Sequence, residues 1–204
     1  SGYSSFQGLI FFRNIGLLYN PDCVIVGFGH HDGASSYAPD KEITSSSPVV
    51  KKIRSIVYQS QIYLLIRKKV LEKQAEERME NGRQIFRRVS SSDYVNNLKT
   101  FVEECRKRNI LVLFFVVPQQ TPEGTFHIEY ARLMRQTAKE LNVPLIDGAD
   151  AMSKLTPEQQ GRFFTPDKVH FNKEGCHYLS EIVIKSVSKD IEGDILKKTG
   201  ISQK

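Results

Sequence analysis

Ile110-Leu-Val-Leu-Phe-Phe-Val-Val117 is an unbroken apolar run stopped by Pro118. A run this short, closed by a residue that cannot continue a ladder, reads as a strand buried on both faces, since neither of its alternating sides meets water. The same signature recurs on either side of it. Upstream, Asp22-Cys-Val-Ile-Val-Gly-Phe-Gly29 stops at glycine; downstream, the shorter Val143-Pro-Leu-Ile146 runs into Asp147-Gly148. Helical patterns fill the gaps. Ser91-Ser92-Asp93 offers an N-cap, after which Leu98, Phe101, Val102 and Cys105 recur at helical spacing. Ile128, Ala131, Met134 and Leu141 mark a second helix. A last one begins at Asn172 and is expected to bury Cys176, Leu179, Ile182, Val183 and Val187. Buried strands alternating with amphipathic helices predict an α/β fold, a parallel sheet covered on both faces.

The 204 residues, 40% hydrophobic and 25% charged, suit one globular domain able to bury a core without metal or disulfide staples. Cys23, Cys105 and Cys176 are odd in number and unrelated in spacing, so they read as buried thiols. The net charge of +6 is uneven. Lys51, Lys52, Arg54, Arg67, Lys68, Lys69, Lys73, Arg78, Arg83, Arg87 and Arg88 crowd residues 49–88, a basic helical insertion with Val49, Ile53, Ile56, Val57 and Leu64 on one side. Such a run is ordinarily a solvated helix face; the sharper expectation for 51–88 is contact with an anionic surface. Residues 34–48, rich in Ser and Pro, are expected to form the loop leading into it. No interleaved aromatics or recognisable module point to nucleic acid. No segment resembles a signal peptide or an apolar run long enough to span a bilayer. The chain starts at Ser1 without Met and reads as the later part of something longer.

Two stretches carry chemistry. Gly29-His30-His31-Asp32-Gly33 follows the first strand directly, and ligands of open α/β sheets sit beyond the carboxyl ends of the strands. Flanking glycines let the backbone approach a ligand closely. A metal reading needs ligands beyond these, and Asp32 does not complete a set. The second stretch is Phe164-Thr-Pro-Asp167-Lys-Val-His170-Phe171, ahead of the last helix. An aspartate three residues before a histidine on a turn can accept the Nδ1 hydrogen bond. That fixes the tautomer and leaves Nε2 free as a general base.

Ser1-Gly2-Tyr3-Ser4-Ser5-Phe6-Gln7-Gly8, then Gly29-His30-His31-Asp32-Gly33, then Asp167-Lys168-Val169-His170 occur in the order and spacing of the SGNH, or GDSL-type, hydrolases, and the resemblance covers nearly the whole chain. It implies a three-layer α/β/α flavodoxin-like sheet of strand order 2-1-3-4-5, of which this chain supplies the last three strands. It implies that Asp167 orients His170, that His170 takes the proton of a serine, and that Gly2 offers its backbone N–H to the oxyanion. His31 stands where the family's asparagine donates to the same oxyanion. Losing one such donor typically lowers turnover ~10²–10³-fold, so an imidazole in that place matters. No Gly-Asp-Ser occurs in the sequence. Ser4 and Ser5 fall in the glycine block and are expected on the following helix, away from a nucleophile's strand-end position. The nucleophile is therefore expected upstream of Ser1. The strand at residues 24–28 is expected to be an edge that accepts the missing segment or a partner's strand.

The resemblance implies a serine ester hydrolase acting on a carboxylic ester such as an acetylated glycan or a lipid, with no metal or organic cofactor; the 204 residues alone are expected to be inactive. The other reading is a non-catalytic member of the same fold that binds a glycan or lipid head group. His31 and the absent serine favour that reading; an oriented imidazole, which binding does not require, opposes it. The basic stretch and the polymer-ester chemistry of such relatives point to an extracytoplasmic or cell-envelope location.

Overall fold

A computed structural model describes residues 2–36, 38–44, 69, 86–118, 125–167 and 170–199. The chain separates into two compact units, Ser1–Tyr19 with Gly29–Asn97, and Asn20–Phe28 with Leu98–Lys204.

The second unit holds the sheet. Strands β1 (Cys23–Val26), β4 (Leu111–Val116) and β5 (Leu145–Asp147) lie in the order β1-β4-β5, all parallel. Cys23 pairs with Leu111 and Val26 with Phe114, while Phe114 to Val116 pair with Leu145 to Asp147. These are the three strands expected from the apolar runs. The central one, β4, buries Val112, Leu113, Phe114 and Val116, and Leu113 and Phe114 have no exposed surface. β1 carries Ile25 at 45% exposure and pairs with β4 among the described residues.

Two helices of this unit are amphipathic, as the sequence predicts, with differences in detail. Helix α3 (Ser91–Arg106, which begins in the first unit) buries Leu98, Phe101, Val102 and Cys105 as expected, and Phe101 stacks on Phe28. Its cap is Ser90, one residue before the predicted cluster: the Ser90 hydroxyl accepts the Asp93 amide at 3.1 Å. Helix α4 (Thr125–Leu141) buries Tyr130, Met134, Thr137 and Ala138, whereas Ile128, expected on the inner face, is exposed. Tyr130, Met134, Thr137 and Ala138 keep a spacing of three and four, so one face is set by the larger Tyr130 and Met134 side chains and Ile128 falls off it. Short helices α5 (Gly148–Ser153) and α6 (Pro157–Gly161) precede α7 (Lys173–Thr199). Arg135 of α4 grips Asp147 bidentately, Nε–Oδ2 at 2.6 Å and Nη2–Oδ1 at 3.0 Å. Burial works against ionisation of Asp147, but the Arg135 bonds and charge and the Asp150 amide outweigh it and hold the carboxyl below its ordinary value.

The cysteines correct one expectation. Cys105 is buried, and desolvation pushes its thiol up to about 11; Cys23 is half-buried; Cys176 is exposed. The first turn of α7 turns Gly175 and Leu179 inward, so Cys176, one position on from Gly175, faces out.

The first unit contains helix α1 (Ser5–Asn14), a 3₁₀ turn (Gly16–Tyr19), a two-stranded antiparallel ribbon of β2 (Ser35–Ser36) and β3 (Phe86–Arg87), and helix α2 (Asp40–Thr44). Residues 34–48 are thus not wholly a loop. The expected helical insertion, 49–88, lies outside the described residues but for Lys69 and 86–88, and its end is strand, not helix. Arg88 in particular does not belong to a solvated helix face: its side chain is 20% exposed.

Candidate active site

The Asp167–His170 turn is built in the second unit by local bonds. Phe164 and Phe171 form an antiparallel bridge with rings 4.6 Å apart, and the Thr165 amide donates to the His170 carbonyl at 2.8 Å. That brings Thr165 and His170 together. Between them, Asp167 Oδ1 accepts the His170 amide at 3.0 Å and lies 2.6 Å from the Thr165 hydroxyl. Oδ2 lies 2.7 Å from His170 Nδ1. A carboxylate already holding two donors on one oxygen keeps the other aimed at the ring, and so favours the tautomer with hydrogen on Nδ1. The His170 side chain is 78% exposed.

Asn172 fixes this loop to the helix behind it. Its Oδ1 caps α7 through the Gly175 amide at 2.9 Å, while its Nδ2 donates to the carbonyls of Arg162 and Phe164. Gly175 is obligatory for packing, since a Cβ there would collide with the Phe163 carbonyl. Below lies an apolar cluster of Met152, Phe164 and Leu179, joined by Phe115 of β4, Phe163 and Tyr178. The pair therefore stands on an element that cannot shift without disturbing the core.

The first unit holds Gly2 and His31, together with a buried polar network that sequence reasoning missed. Gly2 has φ +89°, and an added Cβ would meet nothing within 4 Å. Glycine is called for there by the backbone conformation, not by crowding. Ser4 is the N-cap of α1, accepting the Gln7 amide at 3.3 Å and donating to Asp40 Oδ2 at 2.6 Å. Ser5 opens the helix and donates to Asp32 Oδ1 through its amide (2.8 Å) and its hydroxyl (2.5 Å). Both serines are fully buried and committed to these carboxylates. Asp32, considered above only as an incomplete metal ligand, is a buried anchor: its Oδ2 accepts the Gly29 amide at 2.9 Å, so one carboxylate ties the Gly29–Gly33 turn to the head of α1. Desolvation raises its pKa, although the Ser5 and Gly29 bonds and the Arg88 charge work the other way. His31, half-buried on that turn, meets the His30 ring edge-on at 4.7 Å. A signal for this network was present. Adjacent serines at a helix start and an aspartate among glycines are both patterns that seek backbone N–H partners.

The second unit thus combines a parallel sheet with an exposed histidine fixed by an aspartate. The chain matches the model of the GDSL-like Lipase/Acylhydrolase family over residues 1–177, and it belongs to that family. It is therefore a member of an ester-hydrolase family. Among solved structures, a lipase/acylhydrolase from Enterococcus faecalis is similar at TM-score 0.59 and 17% identity, covering 93% of this chain and 72% of that one. The acetyl xylan esterase AlAXEase matches at TM-score 0.56 and 16% identity, over 92% and 77%. A catalytic variant of an acetylxylan esterase from Geobacillus stearothermophilus matches at 0.54 and 15%, over 92% and 68%. At these identities the likeness shows the fold, the three-layer α/β class expected from the sequence. A search of curated proteins found no match.

Proposed function

We propose that this chain supplies the acid–base half of a serine ester hydrolase. His170 Nε2 takes the proton of a serine hydroxyl as that oxygen attacks the ester carbonyl, and Asp167 holds the imidazole and stabilises its charged form. The Gly2 amide and the His31 imidazole donate to the oxyanion of the tetrahedral intermediate. His170 then returns the proton to the leaving alkoxide, and water repeats the sequence on the acyl-enzyme. The observation that supports this reading most is the 2.7 Å contact of Asp167 with Nδ1 on an exposed ring, in a chain of this family.

In this reading the nucleophile comes from outside residues 1–204: no Gly-Asp-Ser occurs, and Ser4, which caps α1, and Ser5, which opens it, are both buried. The substrate is a carboxylic ester, with acetylated glycans favoured by the acetylxylan esterases among the structural neighbours and lipids by the lipases. An anionic surface contact through the basic stretch that precedes Arg88 and an extracytoplasmic site are part of the same proposal.

The test is labelling with a fluorophosphonate, followed by peptide mapping, on the protein as its gene encodes it. The label is expected on a serine outside residues 1–204, with hydrolysis of p-nitrophenyl acetate lost in parallel. Residues 1–204 alone are expected to hydrolyse that ester no faster than free imidazole. Turnover by residues 1–204 with a labelled serine inside them would overturn the placement of the nucleophile. A correctly folded intact protein that neither labels nor turns over would favour the non-catalytic binding reading.

A further inference from the structure

We propose that Arg88, seated on Asp40, is a positioning residue for the oxyanion donor at Gly2. The inference rests on the assignment of the Gly2 amide to the oxyanion.

A glycine at φ +89° is soft on both of its torsions, so its nitrogen has no fixed place unless the peptide that follows is held. Arg88 holds it. Its Nη1 donates to the Gly2 carbonyl at 2.9 Å, and its Nη2 donates to Gln7 Oε1 at 2.8 Å and to Asp40 Oδ2 at 3.1 Å. Its Nε reaches Asp40 Oδ1 at 3.3 Å. That same Asp40 carboxylate accepts the Ser4 hydroxyl that caps α1. The guanidinium and the carboxylate thus pin two points of the backbone, the carbonyl of Gly2 and the cap at Ser4, on either side of Tyr3. With both fixed, the carbonyl side of Gly2 is held, so the Gly2 nitrogen keeps its place relative to the helix start.

The pair is built for this. The Asp40 side chain is 5% exposed and that of Arg88 20%, so both charges are largely withdrawn from water, where a planar fork loses little freedom per bond made. Arg88 is itself held by its backbone: its amide donates to the Ala34 carbonyl at 2.9 Å, and its carbonyl accepts the Asp40 amide at 2.7 Å. The next residue, Val89, donates its amide to the Asp32 carbonyl at 3.1 Å, within the turn that carries His31. Arg88 and Val89 therefore bond to the neighbourhoods of both oxyanion donors, Gly2 through a side chain and His31 through the backbone. A lysine carries the same charge but lacks the fork, and cannot hold Gly2, Gln7 and both oxygens of Asp40 together.

The test uses the intact protein encoded by the gene, with variants Arg88→Lys, Asp40→Asn and, as a reference, His170→Ala. The readouts are kcat and KM for p-nitrophenyl acetate, affinity for butylboronic acid as a tetrahedral-anion mimic, and the circular-dichroism melting curve. Arg88→Lys is expected to lower kcat about 10- to 100-fold with KM within about twofold, below the loss for deleting a donor outright, and to weaken boronate binding by a similar factor. Asp40→Asn is expected to do the same about 3- to 10-fold, since the fork keeps one charge-free acceptor; it decides the matter if Arg88→Lys does not fold. A folded variant with kcat within twofold of the parent overturns the proposal. So does a fall in kcat with boronate affinity unchanged, because that is what a merely structural role produces. The two levels separate cleanly. Full turnover in His170→Ala would overturn the esterase reading itself, whereas its loss there, with normal Arg88→Lys, would overturn this inference alone.

Discussion

The turn that presents His170 closes on itself, with Thr165, Asp167 and His170 bonding to one another and Asn172 tying the segment to the adjacent helix start. The head of α1 is assembled from afar. Ser5 reaches Asp32 at 27 residues' separation and Asn97 at 92, and Arg88 reaches Gly2 at 86. Local closure needs little loop entropy and is written in a short motif; distant closure relies on a folded framework and leaves no contiguous trace. On the proposed function, the first region is therefore expected to tolerate change at one residue with an effect confined to chemistry. In the second, chemistry and stability move together.

The comparison is open to attack at several points. Asp167→Asn in the protein as its gene encodes it is expected to lower kcat by about 10²–10⁴ while leaving the denaturation midpoint nearly unchanged, since the pair is exposed and stands on a separately packed core. Steady-state kinetics beside a urea titration checks this; a large loss of stability would show that the turn is not self-contained.

The opposite balance is expected at Asp32. Replacing it with Asn turns an amide toward N–H groups of Ser5 or Gly29 and should destabilise the fold by about 1–3 kcal/mol in urea unfolding. The sign of the pH dependence is distinctive. Burial raises this carboxyl's folded pKa, so its contribution to stability is fully present below the unfolded value of about 3.9 and is lost as pH rises through the folded value. The gap between parent and variant should therefore narrow on raising the pH through that window. A gap that widens would contradict the burial argument.

Arg135→Ala supplies the smallest effect. The pair with Asp147 is bidentate but partly exposed, so about 0.2–1 kcal/mol is expected. Asp147 has a lowered pKa, hence its contribution is present above the unfolded value and lost as pH falls through the folded one. Thermal melts at neutral and acid pH should show the two proteins converging in acid.

The same contrast explains what was legible in the sequence. The strands at 23–26, 111–116 and 145–147 were readable because each is a short apolar run between breakers, and α3 because Leu98, Phe101, Val102 and Cys105 repeat regularly. Asp167 and His170 were readable because the bond that joins them spans three residues. Ile128 and Cys176 misled, since hydrophobicity alone does not say which of two neighbouring helical positions turns inward. Arg88 was hidden in a run of basic residues: a buried and a solvated arginine look alike until the carboxylate that receives one, Asp40, is known from the fold.

The central claim is that His170 is the general base of an ester hydrolase. The direct measurement is kcat/KM for p-nitrophenyl acetate in the intact protein and in its His170→Ala variant, with melting curves for both. The account predicts a fall of at least ~10³-fold with an unchanged melting temperature. A folded His170→Ala protein that keeps the parent's turnover would contradict it.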